Sequence, residues 1–279
     1  MTYYTLPNMC PRLNLHNIEV SLLNDSTETT IISKSLRSYL NEIKKQIDLC
    51  INDWDIYKKY TNSYEYIHTT IPSTKISVCK LKPLSRSLYK MIELSNIFNI
   101  FENKTNNINS FHLAEGPGGF IEAFVYLRNN PEDKYYGMTL QSSNSTIPGW
   151  KKSKIFLQNN PNVIIEEGIS KTGDLLLKDN LLYCLEKYNN SMDYITGDGG
   201  FDFSFDFNKQ EQACMNLIFS QICFALAMQK QGGTFILKIF DVFTQATLDL
   251  LYILSNVYDK VHICKPNTSR TANSEKYLV

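Results

Sequence analysis

The distribution of apolar and polar positions divides the chain near residue 80. Before it the sequence is polar and mixed, except between Ser33 and Lys59, where Leu36, Leu40, Ile43, Ile47 and Ile51 recur at helical spacing. Residues 1–80 are therefore expected to form an N-terminal helical extension. No repeat, Gly/Ser linker or low-complexity run marks its edge. From residue 85 the pattern changes, beginning with SRSLYKMIELSNIF, whose Leu88, Met91, Ile92, Leu94 and Ile97 make an apolar helical stripe that Ser85 is placed to cap. Short apolar runs then alternate with amphipathic ones. They predict strands at 110–115, 134–140, 162–167, 192–198, 233–240 and 259–264, with a last one opening at Glu275. The intervening helices are predicted at 118–129, 150–158, 174–188, 208–230 and 245–257.

This βαβα alternation predicts an α/β fold, a Rossmann-like, doubly wound and mostly parallel sheet, because each crossover helix must cover a sheet face. Such sheets bind ligands at the carboxyl ends of their strands, near the point where strand order reverses. Residues that follow each strand thus become the candidates for chemistry. The chain stops at Tyr277–Leu278–Val279 in mid-strand, which suggests a truncated C-terminal end.

Composition narrows the reading. With 279 residues, 43% hydrophobic and 20% charged, the chain matches an ordinary globular protein and excludes global disorder. Lys+Arg and Asp+Glu both number 28, so any nucleic-acid affinity must come from a local basic patch rather than from net charge. Seven widely spaced cysteines without a CxxC pair suggest reduced thiols in a cytoplasmic compartment, a nuclear one remaining open. The four histidines are never paired at ligand spacing with Cys, Asp or Glu, and no metal site is expected. Neither a signal sequence nor an 18-residue apolar run is present, so no membrane association is expected.

Four motifs follow predicted strands or lie within them. AEGPGGF, residues 114–120, puts Gly116, Gly118 and Gly119 where a strand turns into a helix, as a cofactor loop does, although a ligand-free turn has the same form. Pro117 and the crowded glycines depart from G-x-G-x-x-G, and MTLQ after the second strand offers no acid for a ribose, which disfavours NAD. TGDGGFDF places Asp198 at the same sheet edge, where it serves either the ligand cleft or the turn itself. GGTFILKIFD carries Lys238 in an apolar strand, a costly position unless the amine is paired, functional or snorkelling from an edge. KPNTSRTANSEKYLV ends a polar loop bearing Arg270 with Glu275 at the start of the last strand.

Taken in order, SRSLYK ending at Lys90, LAEGPGGF, TGDGGFDF, GGTFILKIF and KPNTSRTANSEKYLV resemble the FtsJ/RrmJ-type RNA ribose 2′-O-methyltransferases over residues 81–279. From Asp193 onward the chain looks most similar to the eukaryotic and large-DNA-virus enzymes of mRNA capping. The resemblance implies a class I methyltransferase fold and S-adenosylmethionine (SAM) as methyl donor. It also implies a Lys90–Asp198–Lys238–Glu275 tetrad in which Lys238 is the general base. The cofactor positions it implies are Glu115, Gly116, Pro117, Gly118, Gly119, Phe120, Thr139, Asp174 and Asp198, with Leu140 lining the same pocket. His112 stands where many family members have an acid.

An ordinary lysine, with a pKa near ~10.4, cannot accept a proton at neutral pH. The expectation is that burial, Lys90 and the donor's sulfonium depress the pKa of Lys238 while Asp198 and Glu275 orient its amine. RNA, most consistently the capped 5′ end of mRNA, is expected to pass Arg86, Lys151, Lys152, Lys154, Lys265 and Arg270, with Trp150 available for stacking. Other capping or transcription proteins are candidate partners. Two alternatives stay open: a ribosomal or transfer RNA ribose methyltransferase, and a non-catalytic module that binds capped RNA or acts as a scaffold.

Overall fold

The computed structural model describes residues 2–8, 14, 16, 18–21, 29–102, 104–142, 147–200 and 210–279. One eight-stranded sheet organises them. In chain order its strands are β1 (Thr2–Thr5), β2 (Asn109–Leu113), β3 (Lys134–Met138), β4 (Val163–Ile165), β5 (Met192–Gly197), β6 (Gln229–Ile239), β7 (His262–Lys265) and β8 (Lys276–Leu278). The spatial order is β1-β7-β8-β6-β5-β2-β3-β4. Strands β6, β5, β2, β3 and β4 run parallel, whereas β8 lies antiparallel between β6 and β7. The parallel part winds outward from β2 in both directions, so strand order reverses between β2 and β5.

The helices are α1 (Lys34–Lys45), α2 (Trp54–Tyr60), α3 (Ser87–Ile97), α4 (Gly119–Arg128), α5 (Lys154–Asn159), α6 (Lys178–Tyr188), α7 (Gln210–Ala213), α8 (Met215–Met228) and α9 (Gln245–Val257). They cover both sheet faces. Alternation along β6 sends Phe235, Leu237 and Ile239 into the core under α6, α8 and α9, and Ile236 into the core under α3 and α4. In β8 the same period puts Leu278 on the first face and Tyr277 on the second. Lys238 therefore shares the face of Tyr277 and α3. No described helix is long and apolar enough to cross a membrane.

The predicted α/β architecture is the observed one, with differences at its margins. Within the segment expected to be helical, Thr2–Thr5 pairs antiparallel with β7, extending the sheet by backbone hydrogen bonds that carry no periodicity signal. The helical stretch of residues 33–59 is split into α1, a 3₁₀ turn over Gln46–Cys50, and α2. The helix predicted from 174 begins at Lys178, because residues 172–177 are occupied by a hydrogen-bonded turn. Ser85 is not the cap of α3. That position is held by Arg86, while the Ser85 hydroxyl accepts from the Ser87 N–H at 3.3 Å.

Candidate active site

The carboxyl ends of β2, β3, β4 and β5 are tied to one another by backbone contacts. The Glu115 N–H donates to the Met138 carbonyl (3.2 Å), the Gln141 N–H to the Thr172 carbonyl (2.7 Å) and the Asp198 N–H to the Leu113 carbonyl (3.3 Å). Loops that are far apart in sequence thus form one rim. On it stand the glycine turn, Thr139, Asp174 and Asp198.

The four residues of the expected tetrad come together there. Lys90 Nζ, one turn into α3, lies 2.7 Å from Glu275 Oε1 and donates to Oε2 at 2.9 Å. Lys238 Nζ lies 3.3 Å from Asp198 Oδ1 and donates to the Asp198 carbonyl at 2.7 Å. The two pairs are linked by a residue that the sequence did not single out. Tyr277 is fully buried, and its hydroxyl donates to Asp198 Oδ1 at 2.8 Å while accepting from Lys90 Nζ at 3.4 Å. The only sequence signal for it is its place in β8, two residues beyond Glu275, where the strand period returns to the same face.

Electrostatics corrects one expectation. Burial alone would lower the pKa of Lys238, but the charges of Asp198 and Glu275 outweigh it, and the ammonium is held above its ordinary value rather than below it. Glu275 shows the reciprocal effect: burial opposes its charge, yet Lys90 and Lys238 bring its carboxyl down to about 2. The protein alone therefore stores Lys238 as a cation. Any neutral amine must be produced by a further positive charge brought into the site.

The glycine turn is shaped by the protein itself as well as by any ligand. A Cβ on Gly116 would lie 2.5 Å from the Pro148 carbonyl oxygen, so residues 147–150 can pack on the turn only if position 116 lacks a side chain. Pro117, joined to Gly116 by a cis peptide bond, accepts from the Ser153 hydroxyl through its carbonyl, and Gly118 leads into Gly119, the first residue of α4. The Phe120 side chain does not line the rim. It packs in the core with its ring centroid 5.9 Å from that of Tyr277. Behind the turn, Glu115 Oε1 accepts from the N–H groups of Phe120 (2.7 Å) and Ile121 (3.1 Å) at the start of α4. Burial, reinforced by Asp198, pushes the Glu115 carboxyl up to about 8.

On the neighbouring strands, Gly173 has φ +63° and a Cβ there would lie 2.0 Å from the Thr139 carbonyl oxygen, so the turn after β4 can lie against the end of β3 only if position 173 lacks a side chain. Asp174, half-buried in that turn, accepts from the Leu176 N–H at 2.9 Å, and Leu140 is exposed at the rim. An exposed apolar side chain, a carboxylate acceptor and bare glycine backbone, arranged along three adjacent strand ends, fit a nucleoside-bearing cofactor. His112 lies away from this rim. It is completely buried between Ser110 (2.8 Å) and Thr196 (2.8 Å), and burial lowers its pKa to about 3, so it is a neutral, structural ring.

The expected RNA-facing cations separate into two groups. Lys151 and Lys152 are exposed on the 3₁₀ turn Trp150–Ser153, as is Lys154 at the start of α5. Trp150 packs instead over Gly137, Ile121 and the glycine turn. Arg86 and Arg270 converge on Glu65, and the Lys265 amine is bound to the carbonyls of Asn273 (2.8 Å) and Glu275 (2.7 Å). Residues 201–203 of the TGDGGFDF motif and part of the 141–153 loop lie outside the described residues.

Comparison with known proteins places this geometry among relatives. The model of the FtsJ-like methyltransferase family matches residues 83–279. A zebrafish (Danio rerio) cap-specific mRNA (nucleoside-2′-O-)-methyltransferase 2 is 29% identical over 273 residues, covering 88% of this chain and 34% of that protein. A Trypanosoma cruzi cap-specific mRNA (nucleoside-2′-O-)-methyltransferase 1 is 34% identical over 169 residues, covering 60% of this chain and 46% of that protein. Among solved structures, a putative ribosomal RNA methyltransferase from Plasmodium falciparum superposes with a TM-score of 0.50 at 21% identity, over 70% of this chain and 95% of that one, a likeness of fold. The chain spans about a third of the length of the first curated relatives it matches.

Proposed function

The chain belongs to the FtsJ-like methyltransferase family, and on that premise we propose that it moves the methyl group of SAM to a ribose 2′-hydroxyl in the capped 5′ region of mRNA. The observation that carries this reading is the convergence of Lys90, Asp198, Lys238 and Glu275 at the rim of the parallel sheet. The names of the relatives favour a cap-proximal substrate over a ribosomal or transfer RNA. Paired buried cations and anions beside an open rim also favour an enzyme over a scaffold, because such an arrangement is unfavourable to bury and serves proton movement.

When bound, SAM supplies a methyl group on a positively charged sulfur. The backbone of Gly116–Gly119 and the side chains of Thr139 and Asp174 would hold it, with Glu115 fixing the turn from behind. The chain's own contribution to the chemistry is proton management and alignment. Asp198, itself held by the Tyr277 hydroxyl, fixes the Lys238 amine, and Glu275 fixes Lys90. A second positive charge about 4 Å from Lys238, at an effective dielectric of about 20, opposes its protonation by roughly 4 kcal/mol, or about three pKa units. Were the donor's sulfonium to lie that close, it would lower the raised pKa of Lys238 and increase the share of neutral amine able to accept the proton. Lys90 then steadies the oxygen that loses the proton.

The test is to incubate the protein with SAM and either capped or uncapped RNA and to map the methyl by mass spectrometry. A 2′-O-methyl group near the cap, absent with Lys238→Ala although that variant still binds SAM, is expected. Equal methylation of uncapped RNA would remove the cap assignment, and an active Lys238→Ala variant at neutral pH would remove the base.

A further inference from the structure

Glu65 lies outside the segment matched by the family model, in the 3₁₀ turn Ser63–Ile67 of the N-terminal part. It is only 1% exposed, an unusual position for a carboxylate unless it is paired. Its partners come from two distant segments. Arg270 grips it with a two-point fork, Nε to Oε2 at 3.0 Å and Nη2 to Oε1 at 2.8 Å. Arg86 Nη1 lies 3.1 Å from Oε2, and Arg86 Nη2 donates to the Thr268 carbonyl at 3.2 Å.

Those two segments also carry half of the site. Arg86 is the N-cap residue of α3, and Lys90 stands one turn later on the same helix. Arg270 follows Ser269, whose hydroxyl donates to Glu275 Oε1 at 2.9 Å. The Lys90–Glu275 pair and the Arg86–Glu65–Arg270 clasp therefore join the same two pieces of chain, alongside a third tie in which Glu93 of α3 accepts from the N–H groups of Asn267 (2.8 Å) and Thr268 (2.9 Å). Without the carboxylate, two guanidiniums would face each other across that junction with no anion between them, and repulsion would tend to open it.

We propose that Glu65 is a positioning residue for the transfer reaction: by holding Arg86 and Arg270 together it sets the spacing of Lys90 and Glu275. The inference rests on the proposed methyl transfer and assigns the N-terminal segment a part in it. Misplacement of about 1 Å at a reacting centre is worth roughly a hundredfold in rate. Glu65→Ala is thus expected to lower kcat by tenfold or more, with RNA KM and SAM affinity within about twofold of the parent, because the glycine turn and Asp174 are not touched.

The measurement is single-turnover methyl transfer normalised to SAM-binding sites, which removes any loss due to unfolded protein, run beside hydrogen–deuterium exchange of the unliganded chain. Arg270→Lys, which keeps the charge and loses the fork, should give a smaller fall of the same kind. Faster exchange confined to residues 84–90 and 266–275 is expected in Glu65→Ala. An unchanged kcat, or a rise in RNA KM alone, would overturn the proposal, the latter by making the arginines simple phosphate contacts. Should the parent show no transfer, the functional reading fails by itself. Exchange then decides the clasp: unchanged protection in the two segments overturns it, and local loosening sustains its structural half.

Discussion

Replacing Asp198 by Asn is the perturbation that separates orientation from charge at Lys238. The carboxylate lies 3.3 Å from the amine, a distance at which two unit charges attract by about 5 kcal/mol at an effective dielectric of about 20. Asp198 is the largest contributor holding the Lys238 ammonium above its ordinary value, and Glu275 follows. Asp198→Asn keeps the size of the side chain and removes the charge, so the pKa of Lys238 should fall by up to about four units, with Glu275 remaining. A base acts when neutral, so transfer rises with pH until the amine has lost its proton. The rising limb of kcat against pH should therefore move toward acid in the variant, while the plateau drops because the hydrogen bond from Tyr277 is weakened. The assay is a single-turnover pH profile at saturating SAM and RNA, backed by direct titration of the labelled lysine side chain by NMR in case the plateau is too low to fit. A limb that stays in place or moves toward alkali, together with an unmoved lysine titration, would refute the charge argument.

Three further outcomes follow from the same geometry. Tyr277→Phe deletes a hydrogen bond to a charged acceptor, a contribution of about 1.5–3 kcal/mol, and should slow transfer about tenfold with SAM affinity unchanged in calorimetry; a parental rate would show that the bridge is idle. Glu115, whose carboxyl is raised by burial to about 8 from an ordinary 4.5, keeps its proton in the folded protein across a pH range in which the unfolded chain has lost it. The Glu115 contribution to stability should accordingly fall as pH rises from about 4.5 to 8, opposed up to pH 6.5 by the buried neutral His112, and Glu115→Gln, which preserves both backbone contacts, should remove it; the same pH dependence of thermal melting in parent and variant between pH 5 and pH 8 would contradict it. Gly173→Ala demands a left-handed backbone of a residue with a side chain, worth about 1–2 kcal/mol, and drives its Cβ into the Thr139 carbonyl. SAM affinity should drop at least tenfold, and unchanged affinity would detach this turn from the cofactor pocket.

The sheet was readable because its signal is periodic and local. Strands buried on both faces appear as short apolar runs, helices as stripes, and their alternation leaves few topologies for a parallel sheet. What escaped is what periodicity does not encode. β1 has four residues, and both of its tyrosines are exposed, so nothing in their hydropathy marks them as sheet; only the register Tyr3–Cys264 and Tyr4–Ile263 does. The helix expected at 208–230 is interrupted after Ala213, and β6 begins at Gln229, because the polar Gln229 pairs with Met192 ahead of a register shift, where a hydrophobic count expects no strand.

The site follows the same logic one level up. Lys90, Asp198, Lys238 and Glu275 could be named from motifs because each follows a strand or sits at a marked position, and order along the chain carries that information. Their electrostatic balance could not, since it depends on which anion ends nearest to which cation. Lys238 illustrates this: burial and a neighbouring lysine argued for a depressed pKa, but two carboxylates contributed from separate segments reverse the sign. Tyr277 and Glu65 were invisible for a related reason. A tyrosine in a strand and a glutamate in a polar extension are ordinary residues in sequence, and become specific only when the fold brings Asp198 to the one and two arginines to the other. Sequence order thus identifies groups that can react, whereas the residues that fix their spacing and charge emerge from tertiary contacts. Substitutions at those positioning residues should alter rate without altering the motif by which the family is recognised.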